Sequence, residues 1–169
     1  MLGGVIMKLN IGSVLRNEGS TLNINTGIEP GRLDYLGNIF DFKEPLRITG
    51  TVRSIGGTLE LCGSISGCYV STCDNCGKSV TGELEIPIDE TINSEAEDFD
   101  PECFSLNGTT LDISGLINSL IFENLPMRLL CREDCKGLCS ICGCNLNDTV
   151  CNCDHTVYDP RLAILREQK

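Results

Sequence analysis

The sequence predicts an α+β fold: an antiparallel β-sheet meander, a packed amphipathic helix, and a small cysteine-rich C-terminal segment. Three observations lead there. Between Ser20 and Pro87, apolar residues alternate with polar ones and glycine punctuates the runs. From Leu111 to Leu125, apolar residues recur at three and four. Seven of the 12 cysteines fall between Cys131 and Cys153.

In chain order, residues 1–6 are expected to form a disordered extension, because organised sequence begins at MKLNI from Met7. Leu9, Ile11, Val14 and Leu15 then have near-helical spacing ahead of Asn17-Glu18-Gly19, a plausible stop, so one short helix is expected. The alternation resumes at Leu22 and Ile24, at Ile39 and Phe40, at Leu46 and Ile48, at Leu59 and Leu61, and at Leu84, Ile86 and Ile88, for about five strands. Gly56-Gly57 supplies the positive φ of a tight hairpin turn. Leu111, Ile113, Leu116, Ile117, Leu120, Ile121 and Leu125 form the helical pattern, with Asp112 as N-cap and Pro126 as terminator. A short helix is expected from Asp159. The division is thus an α+β domain over 7–126 and a cysteine-rich metal-binding segment over 127–169.

Composition removes several classes of function. No apolar run approaches the roughly 18 to 20 residues of a membrane span. The first ten residues carry no basic region followed by a cleavage site, which points to the cytoplasm. The formal charge is −11, but residues 83–102 hold nine acids (Glu83, Glu85, Asp89, Glu90, Glu95, Glu97, Asp98, Asp100, Glu102) and no base. The remaining chain has 15 acids and 13 bases, so a nearly neutral body carries one acidic loop. That loop lacks the spacing and turn glycine of a calcium-binding EF-hand, and a solvated face is the simpler reading. A neutral body leaves room for a local basic patch that could meet nucleic acid.

The cysteines carry the chemistry. They run Cys131-x3-Cys135-x3-Cys139-x2-Cys142-x-Cys144-x6-Cys151-x-Cys153, with His155 two residues on. In a reducing compartment such a cluster suits a tetrahedral zinc ion rather than disulfides. Cys139 and Cys142 are the firmest pair, and Gly143 is expected to let backbone N–H groups approach the sulfur of Cys142. Their partners come from Cys131 and Cys135 on one side and from Cys151 and Cys153, with His155 in reserve, on the other, and seven candidates cannot all serve one tetrahedral ion; Cys144 is the expected bystander. A filled four-thiolate site has no open position and is structural. Cys73-Asp74-Asn75-Cys76-Gly77 admits three readings: a redox pair, a second metal half-site completed by Cys62, Cys68 or C-terminal cysteines, or a hairpin turn with two reduced thiols. The redox reading fits worst, because a strand rather than a helix follows. Cys62, Cys68 and Cys103 read as small buried apolar residues.

Catalytic patterns are missing. Gly77-Lys78-Ser79 resembles the end of a phosphate loop, but Thr72 stands where that loop needs glycine. Any triad would have to use His155, the single histidine. The chain is therefore not expected to be an enzyme, and no small-molecule substrate is evident.

The stretch LLCREDCKGLCSICGCNLNDTVCNCD followed by DPRLAILREQK resembles the C-terminal signature of the YceD family, the large-ribosomal-RNA-subunit accumulation proteins. Upstream, Cys73 and Cys76, the acidic loop and a helix ending in Leu-Pro are similar to that family's middle region. The resemblance implies a non-enzymatic bacterial factor that supports accumulation or processing of the 23S ribosomal RNA precursor in large-subunit biogenesis. It also implies that the metal stabilises the C-terminal module, since some members lack these cysteines.

Basic residues supply candidate RNA contacts. Arg128, Arg132 and Lys136 lead into the cysteine cluster, Arg161 and Arg166 follow it, and Arg47 and Arg53 share parity on one predicted strand. The plainer reading is solvated or locally paired charge, Arg132 with Glu133 or Asp134. Two functions follow: binding of 23S ribosomal RNA, its precursor or the pre-ribosome, or a zinc-stabilised adaptor whose acidic loop binds a basic ribosomal protein. Redox sensing through exposed thiolates is a distant third.

Overall fold

A computed structural model of the chain describes residues 5–93 and 103–153. Among these residues the fold is mostly antiparallel β-sheet, with two short helices. Its strands are β1 Lys8–Asn10, β2 Thr21–Ile28, β3 Arg32–Tyr35, β4 Asn38–Asp41, β5 Leu46–Ile55, β6 Thr58–Thr72, β7 Ser79–Ile92, β8 Ser105–Asn107 and β9 Thr110–Asp112. Helix α1 covers Gly12–Arg16 and α2 covers Ser114–Asn124.

The six-stranded sheet is organised around β6. One edge of β6 pairs with β7 from Leu59↔Ile92 to Thr72↔Ser79. The other edge pairs with β5 over Thr58–Ser66, and β4 meets it at Val70. Strands β5, β6 and β7 are the expected meander, and Gly56 and Gly57 adopt φ of 58° and 83° at its first turn. Strand β2 adds beside β5, and the β3–β4 hairpin closes the far end. At the centre Gly50 faces Gly63, where a Cβ on Gly63 would stand 2.2 Å from the Thr49 carbonyl oxygen. Only glycine allows the strands to approach that closely.

Alternation sorts the two faces of this sheet. Ile48, Val52, Leu61, Ile65, Leu84, Ile86 and Ile88 turn into one core, joined by Phe40, Val14, Ile113, Ile117 and Ile121. Helix α2 reaches the sheet here, and its Phe122 ring sits 5.7 Å from that of Tyr35 on β3.

Several expectations change. The helical reading of Leu9 and of Leu111 is corrected: the two are cross-strand partners in a three-stranded sheet of order β1-β9-β8. Two or three apolar residues cannot separate a short strand from a helix end. The α2 N-cap is Ile113; Asp112, one residue earlier, accepts the backbone N–H of Ser114 at 3.0 Å. The first six residues are not all an unstructured extension. Val5 is buried, and its N–H donates to Asn118 Oδ1 at 3.0 Å while Asn118 Nδ2 donates back to its carbonyl at 3.1 Å. Of the nine acids expected in a loop, Glu83, Glu85, Asp89 and Glu90 lie on β7; Glu95, Glu97, Asp98, Asp100 and Glu102 lie outside the described residues, as do His155, Arg161, Arg166 and the expected helix from Asp159.

Candidate metal centres

The β6–β7 hairpin carries the first half-site at its tip. Beyond the Thr72↔Ser79 pair the chain turns through Cys73 to Lys78, with Cys73 N–H donating to the Lys78 carbonyl at 2.7 Å and Gly77 N–H to the Cys73 carbonyl at 2.8 Å. Sixty-odd residues later the same turn recurs. Cys139 N–H donates to the Cys144 carbonyl at 2.8 Å, and Gly143 N–H to the Cys139 carbonyl at 2.9 Å. Gly77 and Gly143 have φ of 69° and 72°, so each Cys-x-x-Cys-Gly forms one knuckle whose backbone N–H groups face sulfur.

The eight thiols around these knuckles fall into two tetrads. Cys73, Cys76, Cys131 and Cys135 form one and Cys139, Cys142, Cys151 and Cys153 the other, with the Sγ atoms of each within 4.8 Å of one another. Cys73 lies 3.7 Å from Cys135 and Cys76 lies 3.5 Å from Cys131, sulfur to sulfur. A tetrahedral ion with metal–sulfur bonds of about 2.3 Å puts its sulfurs about 3.8 Å apart. All twelve cysteines lie among the described residues and none is in a disulfide. Each tetrad could hold a metal ion.

The electrostatics of the tetrads favour a cation. Burial pushes the Cys73 thiol up, but N–H groups of Cys131, Cys76 and Asn75 outweigh it and bring the pKa down to about 6. At Cys139 the N–H groups of Cys142 and Ile141, 3.5 and 3.4 Å from sulfur, bring it to about 6 as well. Their neighbours move the other way. Burial and then the Cys76 thiol push Cys131 up to about 12, and the Cys142 thiol followed by burial does the same to Cys153. Four sulfurs this close cannot all ionise unless a positive ion sits among them.

The division into tetrads resolves what spacing left open. Cys139 and Cys142 take Cys151 and Cys153, while Cys131 and Cys135 go to the hairpin pair Cys73 and Cys76. The reading of Cys73 and Cys76 as an isolated turn is therefore replaced by a four-thiol group. Cys144 stays outside both tetrads; the Cys142 thiol and then burial push its own thiol up to about 11. Cys62 and Cys68 also stand apart on β6, and the expectation that they are buried is corrected: Cys68 is exposed, and Cys62, half-buried, meets Asp89 Oδ1 at 3.5 Å.

Polar residues bind the two groups together. The N–H of Asp74 donates to the Leu129 carbonyl, and the N–H of Leu129 donates to the Asp74 carboxylate. Asn75 takes the Leu138 N–H on its carbonyl at 3.1 Å and donates through Nδ2 to the Cys135 carbonyl at 3.3 Å. Asn147 Nδ2 donates to Cys135 Sγ at 3.3 Å. These three residues escaped the sequence reading. The nearest signal was the NLN turn, in which Asn145 Oδ1 accepts both the backbone and side-chain N–H of Asn147.

The basic candidates occupy two places. Arg128, Arg132, Lys136 and also Lys78 ring the first tetrad on exposed chain. Arg128 reaches Asn75 Oδ1 at 3.4 Å, Arg132 reaches Asn147 Oδ1 at 2.8 Å and Asp134 at 3.2 Å, and Lys78 pairs with Asp148 at 2.8 Å. Arg47 and Arg53 both project from the exposed face of β5, where Arg53 pairs with Glu60 at 3.0 Å. No helix among the described residues is long and apolar enough to cross a membrane.

The described residues thus form a β-sheet led by one long antiparallel hairpin, with two cysteine knuckles paired near its tip. The family model for the large ribosomal RNA subunit accumulation protein YceD matches residues 61–169, and the chain belongs to that family. It is 38% identical over 61 residues to the large ribosomal RNA subunit accumulation protein YCED homolog 1, chloroplastic, of Arabidopsis thaliana, a match covering 34% of this chain and 19% of the relative. It is 25% identical over 168 residues to an uncharacterised protein of Mycobacterium tuberculosis, covering 95% and 80% of the two chains. It is 24% identical over 114 residues to one of Mycobacterium leprae, 64% of this chain and 52% of the relative. The match thus spans about half the length of the Mycobacterium leprae protein. No solved structure matches the chain.

Proposed function

We propose that this chain is a non-enzymatic factor in large ribosomal subunit biogenesis, which supports accumulation or processing of 23S ribosomal RNA by binding that RNA, its precursor or the pre-ribosome. The family match over residues 61–169 carries the reading, because it spans the central hairpin and both tetrads together. In a bacterial cell this work is cytoplasmic.

Zinc is the cation we assign to both tetrads. A sulfur-only donor set of four suits a borderline-soft ion without redox chemistry, and a site closed by four thiolates holds structure and leaves no position for a reacting water. Filled, each site carries a net charge of about −2 from four thiolates and one divalent ion. Lys78, Arg128, Arg132 and Lys136 offset that charge at the first site and, being exposed, offer donors to phosphate.

A second reading is supported by the acidic end of the sheet's exposed face, which Glu85 shares with Arg47 two strands away. Glu83, Glu85 and Asp89 project from the exposed side of β7, which suits a basic ribosomal protein and an adaptor role. Ultraviolet crosslinking in the native cell, with the tagged chain purified under denaturing conditions and its RNA sequenced, separates the two. Enrichment of discrete 23S precursor segments supports direct contact. RNA at background level overturns it in favour of the adaptor.

A further inference from the structure

The two tetrads differ in how they are assembled. Cys139, Cys142, Cys151 and Cys153 lie in one short stretch, so an ion there closes only a small loop. Cys76 and Cys131 stand 55 positions apart and Cys73 and Cys135 stand 62 apart, so an ion in the first tetrad ties the β6–β7 hairpin to the C-terminal segment. Closing long loops costs more chain entropy, unless another part of the fold brings the ends together first.

One residue links the two. Asn147 sits inside the loop bounded by Cys142 and Cys151, yet its Nδ2 donates to Cys135 Sγ at 3.3 Å, a thiol of the other tetrad. Its Oδ1 meanwhile accepts the Lys136 N–H at 2.9 Å and the Arg132 guanidinium at 2.8 Å, which grips the chain on both sides of Cys135. Asn145, its partner in the turn, orients the amide by taking one N–H at 2.9 Å. The loop closed by the second tetrad thus delivers a hydrogen-bond donor to a ligand of the first.

We propose that the two sites bind zinc as a coupled pair, with Asn147 as the positioning residue through which filling of the local site tightens the bridging site. The inference rests on the zinc reading above. No electrons move; each site exchanges the protons left on its thiols for the ion. Hydrogen-bond donors to a ligand of this kind typically affect metal affinity by about 10- to 100-fold. Coupling is reciprocal, so an ion in the bridging site tightens the local one by the same factor.

Cobalt(II) titration of the reduced, metal-free full chain tests this through its thiolate charge-transfer absorption. Wild type is expected to bind two ions. Asn147→Ala is expected to weaken the bridging site about tenfold. In a Cys139→Ser/Cys142→Ser background, where the local site cannot fill, the same substitution should have little effect. Asn147→Asp, of the same shape but without the N–H donor, should repeat the result and guards against a packing defect in the alanine variant. Two bound ions with Asn147→Ala equally costly in both backgrounds, or costless in both, overturn the coupling while leaving the zinc reading intact. Absence of thiolate-bound cobalt in wild type overturns the zinc reading itself.

Discussion

Asp74 and Leu129 hold each other by two hydrogen bonds: the Leu129 N–H donates to the Asp74 carboxylate at 2.7 Å, and the Asp74 N–H donates to the Leu129 carbonyl at 2.9 Å. This clamp fixes the segment entering Cys131 against the hairpin tip before any ion is considered. Asp74→Ala removes one acceptor from a partly buried N–H and is expected to cost about 1 kcal/mol. Asp74→Asn keeps an acceptor and should cost less. Denaturant unfolding of the zinc-loaded chain measures both, and equal losses in the two variants would show that the carboxylate charge matters rather than the acceptor.

Removing the ions should loosen the knuckles and spare the sheet. Residues 126–153 contain no helix or strand among the described residues, only the Leu138↔Asn145 bridge, so beyond the Asp74–Leu129 clamp and a few side-chain hydrogen bonds the ions would supply most of their order. On chelation, hydrogen exchange is expected to quicken at the amides of Cys73, Gly77, Cys139 and Gly143, whereas those of Ile65 and Ile86 in the β6–β7 ladder stay protected. Added zinc should restore the slow exchange. Unchanged exchange at all four knuckle amides would count against structural ions.

Acid should erase the contribution of Asp112. Hydrogen bonds from the Ser114 hydroxyl and then its backbone N–H, with help from Lys8, hold this carboxyl below its ordinary value of 3.8. The folded state therefore prefers the ionised form, so the stabilisation is complete above 3.8 and fades as pH falls through the lower folded value. Asp112→Asn has no such titration. The stability gap between wild type and variant should be widest at neutral pH and narrow as pH falls below 3.8; a constant gap would refute this.

The basic rim predicts a salt signature. If Arg128, Arg132 and Lys136 meet RNA phosphates, replacing all three with glutamine should lower affinity and flatten the dependence of log K on log salt by about 2, at roughly 0.7 per contact to single strands. Arg53, already paired with Glu60, should contribute less when replaced alone. The measurement is RNA binding across a salt series, and an unchanged slope would remove these residues from the interface.

Local rules made much of this legible. The alternation of β5, β6 and β7 and the Gly56-Gly57 turn follow from side-chain period and positive φ, both properties of a few adjacent residues. The short pieces were not legible: Leu9 and Leu111 gain their strand character only by facing each other across 102 positions of chain, which no local pattern encodes. Likewise the sequence does not separate Asp112 from Ile113 as the cap of α2, because a carboxylate can bond the next turn from either position.

By itself, the sequence determined two Cys-x-x-Cys-Gly turns, each written in five consecutive residues, and a cluster of further thiols, while it left the role of the first turn open among three readings. Only the tertiary structure decided the partition. Cys131 and Cys135 lie as near in sequence to Cys139 as to any other partner, but the long β6–β7 hairpin brings Cys73 and Cys76 to them, and the Asp74–Leu129 clamp holds the chain there. Which thiols share an ion is a matter of distance in space, and strand pairing rather than spacing sets that distance.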